Sequence, residues 1–329
     1  MAALVGMLAV MAVVLPAGAA QQARGEMAVL KPLPRGIATW VYRYTDGVAR
    51  QVKQFNSKAR PEVRFRYFFP YAGSPSFDAR ARRITMHYDA TAARAYARAL
   101  PPEVLLMPIV DGRNDDRAFD GWTEGEYREA ARQVAQCILD DPNAAGVQID
   151  IEPFSPAHLP FYRNLRQLLN AKGKYCTMFV GAWDEETLTR IFASCDVVVI
   201  SGYDLDVEGM SLARYGQALR GVLARVQQAA EAAGGRYLVG IPAAASWGEY
   251  EYVAGAAERR ETGVKQEQYV QAALDAVKLY RKRPQYLGLS LWHMSDPETE
   301  HERPEAATSP TKFPNVIRPS VWRMLEQYR

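Results

Sequence analysis

Short apolar runs rich in Val, Ile and aromatic residues alternate with longer stretches of helical spacing from residue 33 to residue 329. Eight such runs occur: Ile37–Tyr42, Val63–Phe69, Val104–Val110, Gly146–Glu152, Cys176–Trp183, Asp196–Tyr203, Tyr237–Ala243 and Tyr286–His293. Each is almost continuously apolar, as a parallel strand covered on both faces must be. Between them, Thr123 and Glu126 have the spacing of a capping box ahead of Tyr127, Ala130, Val134 and Ile138, which recur at helical intervals. Ser155-Pro156 reads as an N-cap with proline in the first turn, and Asp184 caps a helix carrying Leu188, Ile191 and Phe192. Repeated strand–helix units with no antiparallel hairpin signal predict an α/β fold, a single-domain (β/α)8 TIM barrel over residues 33–329. An open doubly wound sheet has the same periodicity, but no glycine-rich phosphate loop follows the first strand.

Composition adds exclusions. The chain has 329 residues, 48% hydrophobic and 23% charged, which is ordinary for a globular protein. A formal charge of +3, with Lys and Arg spread along the chain, is no nucleic-acid footprint, so no nucleic-acid partner is expected. Residues 1–20 stand apart, because Ala2 to Leu15 form an apolar run ending in Pro16 and the small residues Ala17, Gly18, Ala19 and Ala20. That is the shape of a signal peptide, although no basic residue precedes it, and removal or retention as an anchor both stay open. The run is shorter than the roughly 20 residues of a spanning helix, and no second one follows. A periplasmic or secreted monomer with no further membrane contact is the expectation. Cys137 falls in a helical stretch, whereas Cys176 and Cys195 open neighbouring strand runs; strands lie about 5 Å apart, a span that suits a disulfide. A Cys176–Cys195 bridge and two buried thiols are the alternatives.

The fourth run carries the most chemistry. It reads Gly146-Val147-Gln148-Ile149-Asp150-Ile151-Glu152-Pro153, and alternation puts Val147, Ile149 and Ile151 on one face and Gln148, Asp150 and Glu152 on the other. Two carboxyl groups on one strand face make each other harder to ionise, so one should hold a proton near neutral pH, with Glu152, the outer one, placed to donate it. A proton-holding acid at a barrel mouth is what glycosidic cleavage requires, since the leaving oxygen must be protonated as its bond breaks. A buried polar network is the other reading of such a strand.

This strand resembles the catalytic strand of the family 18 glycoside hydrolases, the chitinases and endo-β-N-acetylglucosaminidases, whose pattern is D-x-x-D-x-D-x-E. The segment Ala145 to Glu152 keeps the last two acidic positions and has Ala145 and Gln148 at the first two. Three more strand ends are similar in the same order. Ser201-Gly202-Tyr203-Asp204 resembles Met-x-Tyr-Asp, Val239-Gly240-Ile241-Pro242 with Trp247 resembles the G-x-P segment, and Leu291-Trp292 resembles the tryptophan floor of the sugar site. The resemblance implies that Glu152 protonates the glycosidic oxygen, that Asp150 orients the substrate's 2-acetamido group and shares a proton with Glu152, and that Tyr203 holds the acetamido oxygen. It also implies attack by the substrate's own acetamide, with no protein nucleophile and no cofactor. The partner would be a polysaccharide or glycan containing β-linked N-acetylhexosamine.

The departures qualify this picture. An amide at Gln148 hydrogen-bonds but takes up no proton, so the coupling to Asp150 should differ. Ile241-Pro242-Ala243-Ala244-Ala245 closes the seventh run without a carboxylate, and Glu249 beyond it is the candidate for a conventional nucleophile, with Asp204 a second. Trp40, Tyr42, Phe69, Trp183, Tyr203 and Trp292 all lie near strand ends, where flat sugar faces could stack. Of the substrate-binding candidates Trp292, Asp204, Gln148, Trp40 and Trp183, Trp292 is the firmest. Asp111 and Arg113 follow the third run; contact with substrate and a solvated loop are their two readings, the loop being the plainer. The four histidines, His87, His158, His293 and His301, have no metal-ligand spacing, and no Gly-x-Ser-x-Gly elbow occurs. A non-catalytic carbohydrate-binding barrel and a glycosidase with a protein nucleophile are the rival readings.

Overall fold

A computed structural model describes residues 30–78, 80–113, 119–203, 205, 212–243, 250–252, 259–261, 263–295 and 316–328. Among the described residues eight parallel strands alternate with eight helices. The strands are β1 (Ile37–Val41), β2 (Phe65–Asp78), β3 (Ile109–Arg113), β4 (Gly146–Glu152), β5 (Tyr175–Val180), β6 (Val197–Ile200), β7 (Tyr237–Pro242) and β8 (Tyr286–Trp292). Each pairs in parallel with the next, and β1 pairs with both β2 and β8, so the sheet closes. This is the (β/α)8 barrel. A two-residue strand, Leu105–Leu106, extends the pairing with β2 ahead of β3.

The helices are α1 (Asp46–Lys58), α2 (Thr91–Ala99), α3 (Glu124–Asp140), α4 (Leu159–Asn170), α5 (Glu185–Phe192), α6 (Leu212–Ala233), α7 (Gln266–Val277) and α8 (Pro319–Gln327). Their starts are where free backbone N–H groups need partners, and the local sequence supplies them. Thr123 and Glu126 form a complete capping box at α3, and Asp184 accepts from the Thr187 amide at α5. Ser155 caps a 3-10 turn, Pro156–His158, that leads into α4.

Strand alternation divides the apolar residues between two cores. Outward residues such as Val147, Ile149 and Ile151 pack under the helices. Inward residues fill the lumen, with Trp40, Tyr67, Phe69, Met107, Ile109 and Phe179 among them, so the barrel is packed rather than open. At its lower end the Tyr67 and Tyr175 hydroxyls donate to the carbonyls of Pro34 and Lys31, which closes the lumen beneath the strands with the segment that leads into β1.

The sequence reading expects no antiparallel hairpin, and here it is corrected. Beyond the barrel wall β2 continues as a ribbon paired antiparallel with Arg83–Tyr88, in register from Gly73↔Tyr88 to Asp78↔Arg83. Ile84, Met86 and Tyr88 alternate there with Arg83, Thr85 and His87, the period-two pattern of a half-covered strand. A second antiparallel pair joins Tyr250–Tyr252 to Arg259–Glu261.

Close packing at the barrel wall gives a first expected result. Gly288 in β8 has φ +150, and a Cβ there would overlap the Gly36 carbonyl oxygen. Gly288→Ala should cost at least about 3 kcal/mol, because it combines a steric overlap with a backbone angle that side chains resist. Urea unfolding reads this as a lower midpoint at an unchanged slope; a wild-type midpoint would contradict the packing.

Candidate active site

All eight strands end at one rim, and alternation decides what each presents to the lumen there. Along β4 the outward set is Val147, Ile149 and Ile151, which leaves Gln148, Asp150 and Glu152 facing in. Along β3, Val110 is outward and Ile109 lumenal, so Asp111 also faces in. The β3–β4 register pairs Asp111 with Asp150 directly. Three carboxyl groups therefore share one sector of the mouth.

Aromatic rings flank them. Trp292, at the end of β8, stacks on Tyr203 with centroids 5.1 Å apart and planes 27° apart, and Tyr203 stacks on Phe179 of β5 at 6.0 Å and 15°. Gly240 on β7 leaves the room this needs, since a Cβ there would stand 2.9 Å from the Tyr203 ring. Tyr42, just past β1, accepts a hydrogen bond from the Trp292 indole and lies 5.2 Å from the His293 ring. The Trp292–His293 peptide is cis.

Burial sets the protonation of this cluster. Asp150 is only 9% exposed, and its Oδ1 has no hydrogen-bond partner among the described residues. Loss of water, then the charges of Glu152 and Asp111, hold its carboxyl well above the usual 3.8. Glu152 stands exposed at the strand's end. Burial thus favours the neutral form at the inner carboxyl, Asp150. Burial, followed by the charge of Asp150, also raises the Tyr42 phenol. Burial lowers His293 to about 4, so that ring is neutral, and neither of its nitrogens has a partner.

The expected site residues separate into groups. Glu152, Asp150, Tyr203 and Trp292 come together at the mouth. Trp183 is half-buried, edge-on to Phe154 at 5.4 Å, in a groove of about 980 Å3 that runs from Glu152 toward Arg214 and Arg225 on α6. Trp40 does not reach the mouth: it is fully buried beneath Phe69 and Phe179, and its indole donates to Ser290 Oγ at 3.0 Å. Gln148 is also fully buried and offers nothing to a ligand; it accepts from Thr177 Oγ1 at 2.6 Å and donates to the Ile149 carbonyl at 3.2 Å. Asp204, Trp247, Glu249 and His301 lie outside the described residues, as does the segment 1–20.

Of the two readings of Cys176 and Cys195, a bridge and two buried thiols, the second holds: both are buried free thiols and the bridge does not form. Pairing of Thr177 with Val197 sets Asp196, not Cys195, beside Cys176, and Asp196 accepts from the Cys176 amide at 2.8 Å. The Cys195 thiol donates to the Ile191 carbonyl at 3.5 Å. Among the described residues no group of three or more His, Cys, Asp or Glu is placed to hold a metal ion, and no helix is long and apolar enough to cross a membrane.

Solved structures of glycoside hydrolase barrels are similar to this chain. The spore cortex-lytic enzyme SleL of Bacillus megaterium QM B1551 is 11% identical over 91% of this chain and 75% of that one, with a TM-score of 0.55. A GH113 β-1,4-mannanase is 14% identical over 91% and 99%, with a TM-score of 0.54. A chitinase from Bacteroides thetaiotaomicron is 12% identical over 79% and 89%, with a TM-score of 0.51. The likeness is one of fold. No protein-family model and no curated protein matches the sequence.

Two residues at the mouth are underweighted by the sequence reading. Asp111 reads there as solvated loop, but β3 runs to Arg113 and carries it into the lumen. The usable signal is its even spacing from Ile109. Tyr42 sits among the strand-end aromatics, and only the fold brings it to Trp292 and the carboxyls.

Proposed function

We propose that this protein is an exported glycoside hydrolase that cleaves a glycan containing β-linked N-acetylhexosamine, by a retaining mechanism in which the substrate's own acetamide attacks the anomeric carbon. The observation that carries the reading is the buried Asp150, whose carboxyl is held upward by burial and by the charges of Glu152 and Asp111, beside the stacked Tyr203–Trp292 pair. The strand-end resemblances to family 18 and the glycan-cleaving neighbours of the same fold support it.

Each residue then has a task that its surroundings suit. Asp150 sits in a site with little water, where a carboxyl oxygen can accept from the acetamido N–H and fix that group under the anomeric carbon. Glu152 is exposed at rest. A sugar seated over it removes water, and the desolvation that raises Asp150 then raises Glu152 and lets it keep the proton it must deliver to the leaving oxygen. Trp292 supplies a flat apolar face for the ring, and the Tyr203 hydroxyl is at hand for the acetamide oxygen. The location outside the cytoplasm and the monomeric state are part of the same proposal, resting on the N-terminal segment and on the absence of any oligomer signal in the sequence.

The test is a pair of matched oligosaccharides, one N-acetylated and one deacetylated, given to the purified chain. Cleavage should be confined to the acetylated member. Equal turnover of both would remove the substrate-assisted mechanism, and trapping of a covalent sugar on Glu249 or Asp204 would replace it with a protein nucleophile.

A further inference from the structure

The β3–β4 register supports one step beyond that reading and rests on it. Burial and its charged neighbours favour a proton on Asp150, and that proton needs an acceptor, because a buried O–H without one costs free energy. Its same-face neighbour on the inner side is Gln148, whose amide is committed to Thr177 and the Ile149 carbonyl. Its neighbour on the outer side is Glu152, which the reaction uses as the acid. Directly across the ladder stands Asp111, paired Cα to Cα with Asp150 and facing the same lumen. Neighbouring strands lie about 4.8 Å apart, so side chains at paired positions meet.

We propose that the Asp111 carboxylate is the positioning residue that accepts the Asp150 hydrogen bond between turnovers, so that the proton-holding pair of this site is built across two strands rather than along one. No bond is made or broken in this role. Asp111 stays an anion, Asp150 keeps its proton on one oxygen, and its other oxygen is left to accept from the acetamido N–H when substrate arrives.

The other titratable groups around Asp150 fit this assignment. Glu152 on β4 and Asp111 on β3 are the charges that act on it. Tyr42 past β1 and Tyr162 on α4 feel Asp150 as buried phenols pushed upward, and His293 past β8 is neutral. An anion held beside Asp150 makes its ionisation harder, so removing the charge at 111 should let Asp150 ionise at lower pH.

The experiment uses the full chain labelled with 13C at the aspartate carboxyls, with the Asp150 signal assigned by its loss in Asp150→Asn. It compares wild type, Asp111→Asn and Asp111→Glu. In Asp111→Asn the Asp150 titration should move to lower pH, and the alkaline limb of kcat on an N-acetylated oligosaccharide should move with it. At neutral pH kcat should fall by roughly 10-fold to 100-fold with little change in KM, less than removal of the acid itself would cost. Asp111→Glu, which keeps the charge, should hold both curves near wild type. An Asp150 titration unmoved in Asp111→Asn overturns the assignment, and so does a kcat limb that stays in place while the titration moves. If the chain turns over no N-acetylated glycan, the glycosidase reading falls, and the titration alone still decides whether the two aspartates are paired.

Discussion

Glu152→Gln should lower kcat on an N-acetylated oligosaccharide by about 10²–10⁴-fold, the usual contribution of a positioned proton donor. Its affinity for the same sugar should change little. Gln has the shape of Glu, and position 152 is exposed at the strand's end, so neither the barrel nor the Tyr203–Trp292 face should move. Turnover under saturating substrate, with binding by calorimetry, separates the two quantities. If the wild-type chain binds sugar and neither form cleaves it, the protein is a carbohydrate-binding barrel and the carboxyl cluster is a structural polar network.

Asp150→Asn should show opposed effects on activity and stability. Activity should fall because an amide cannot reproduce the shared proton. Stability at neutral pH should rise. Between the unfolded value near 3.8 and the higher folded value, the native protein holds a proton at Asp150 that the unfolded chain has released. Stability from this group is therefore fully present below pH 3.8 and is lost as pH rises, by about 1.4 kcal/mol for each pH unit, until the folded value is passed. Asparagine has no such loss. Urea unfolding of the two proteins should give a stability difference near its minimum at pH 4 that grows in the variant's favour by pH 7. A difference that is constant with pH would mean that Asp150 ionises in the fold as readily as in water.

The barrel order was legible because each of its signals is local. β4 begins and ends where its apolar run does, and the caps at Thr123, Ser155 and Asp184 sit where their side chains find backbone amides. Depth and register were not legible. Trp40 and Trp292 both read as strand-end aromatics, yet one lies under the Phe69 and Phe179 rings and the other borders the mouth beside Tyr203, a distinction made by contacts between distant strands. The same holds for Asp111, whose partner lies 39 positions away and is fixed only by how β3 aligns with β4. The Arg83–Tyr88 hairpin was readable from alternation but lay between two stronger helical and strand signals.

The tyrosine latch at the foot of the barrel has a consequence for orientation. Lys31 and Pro34 are held against the end of the lumen opposite the carboxyl cluster, so the described chain reaches β1 from the blind end of the barrel. That approach keeps residues 30–36 at the foot of the barrel, so nothing in it can shade the carboxyl-bearing opening at the other end.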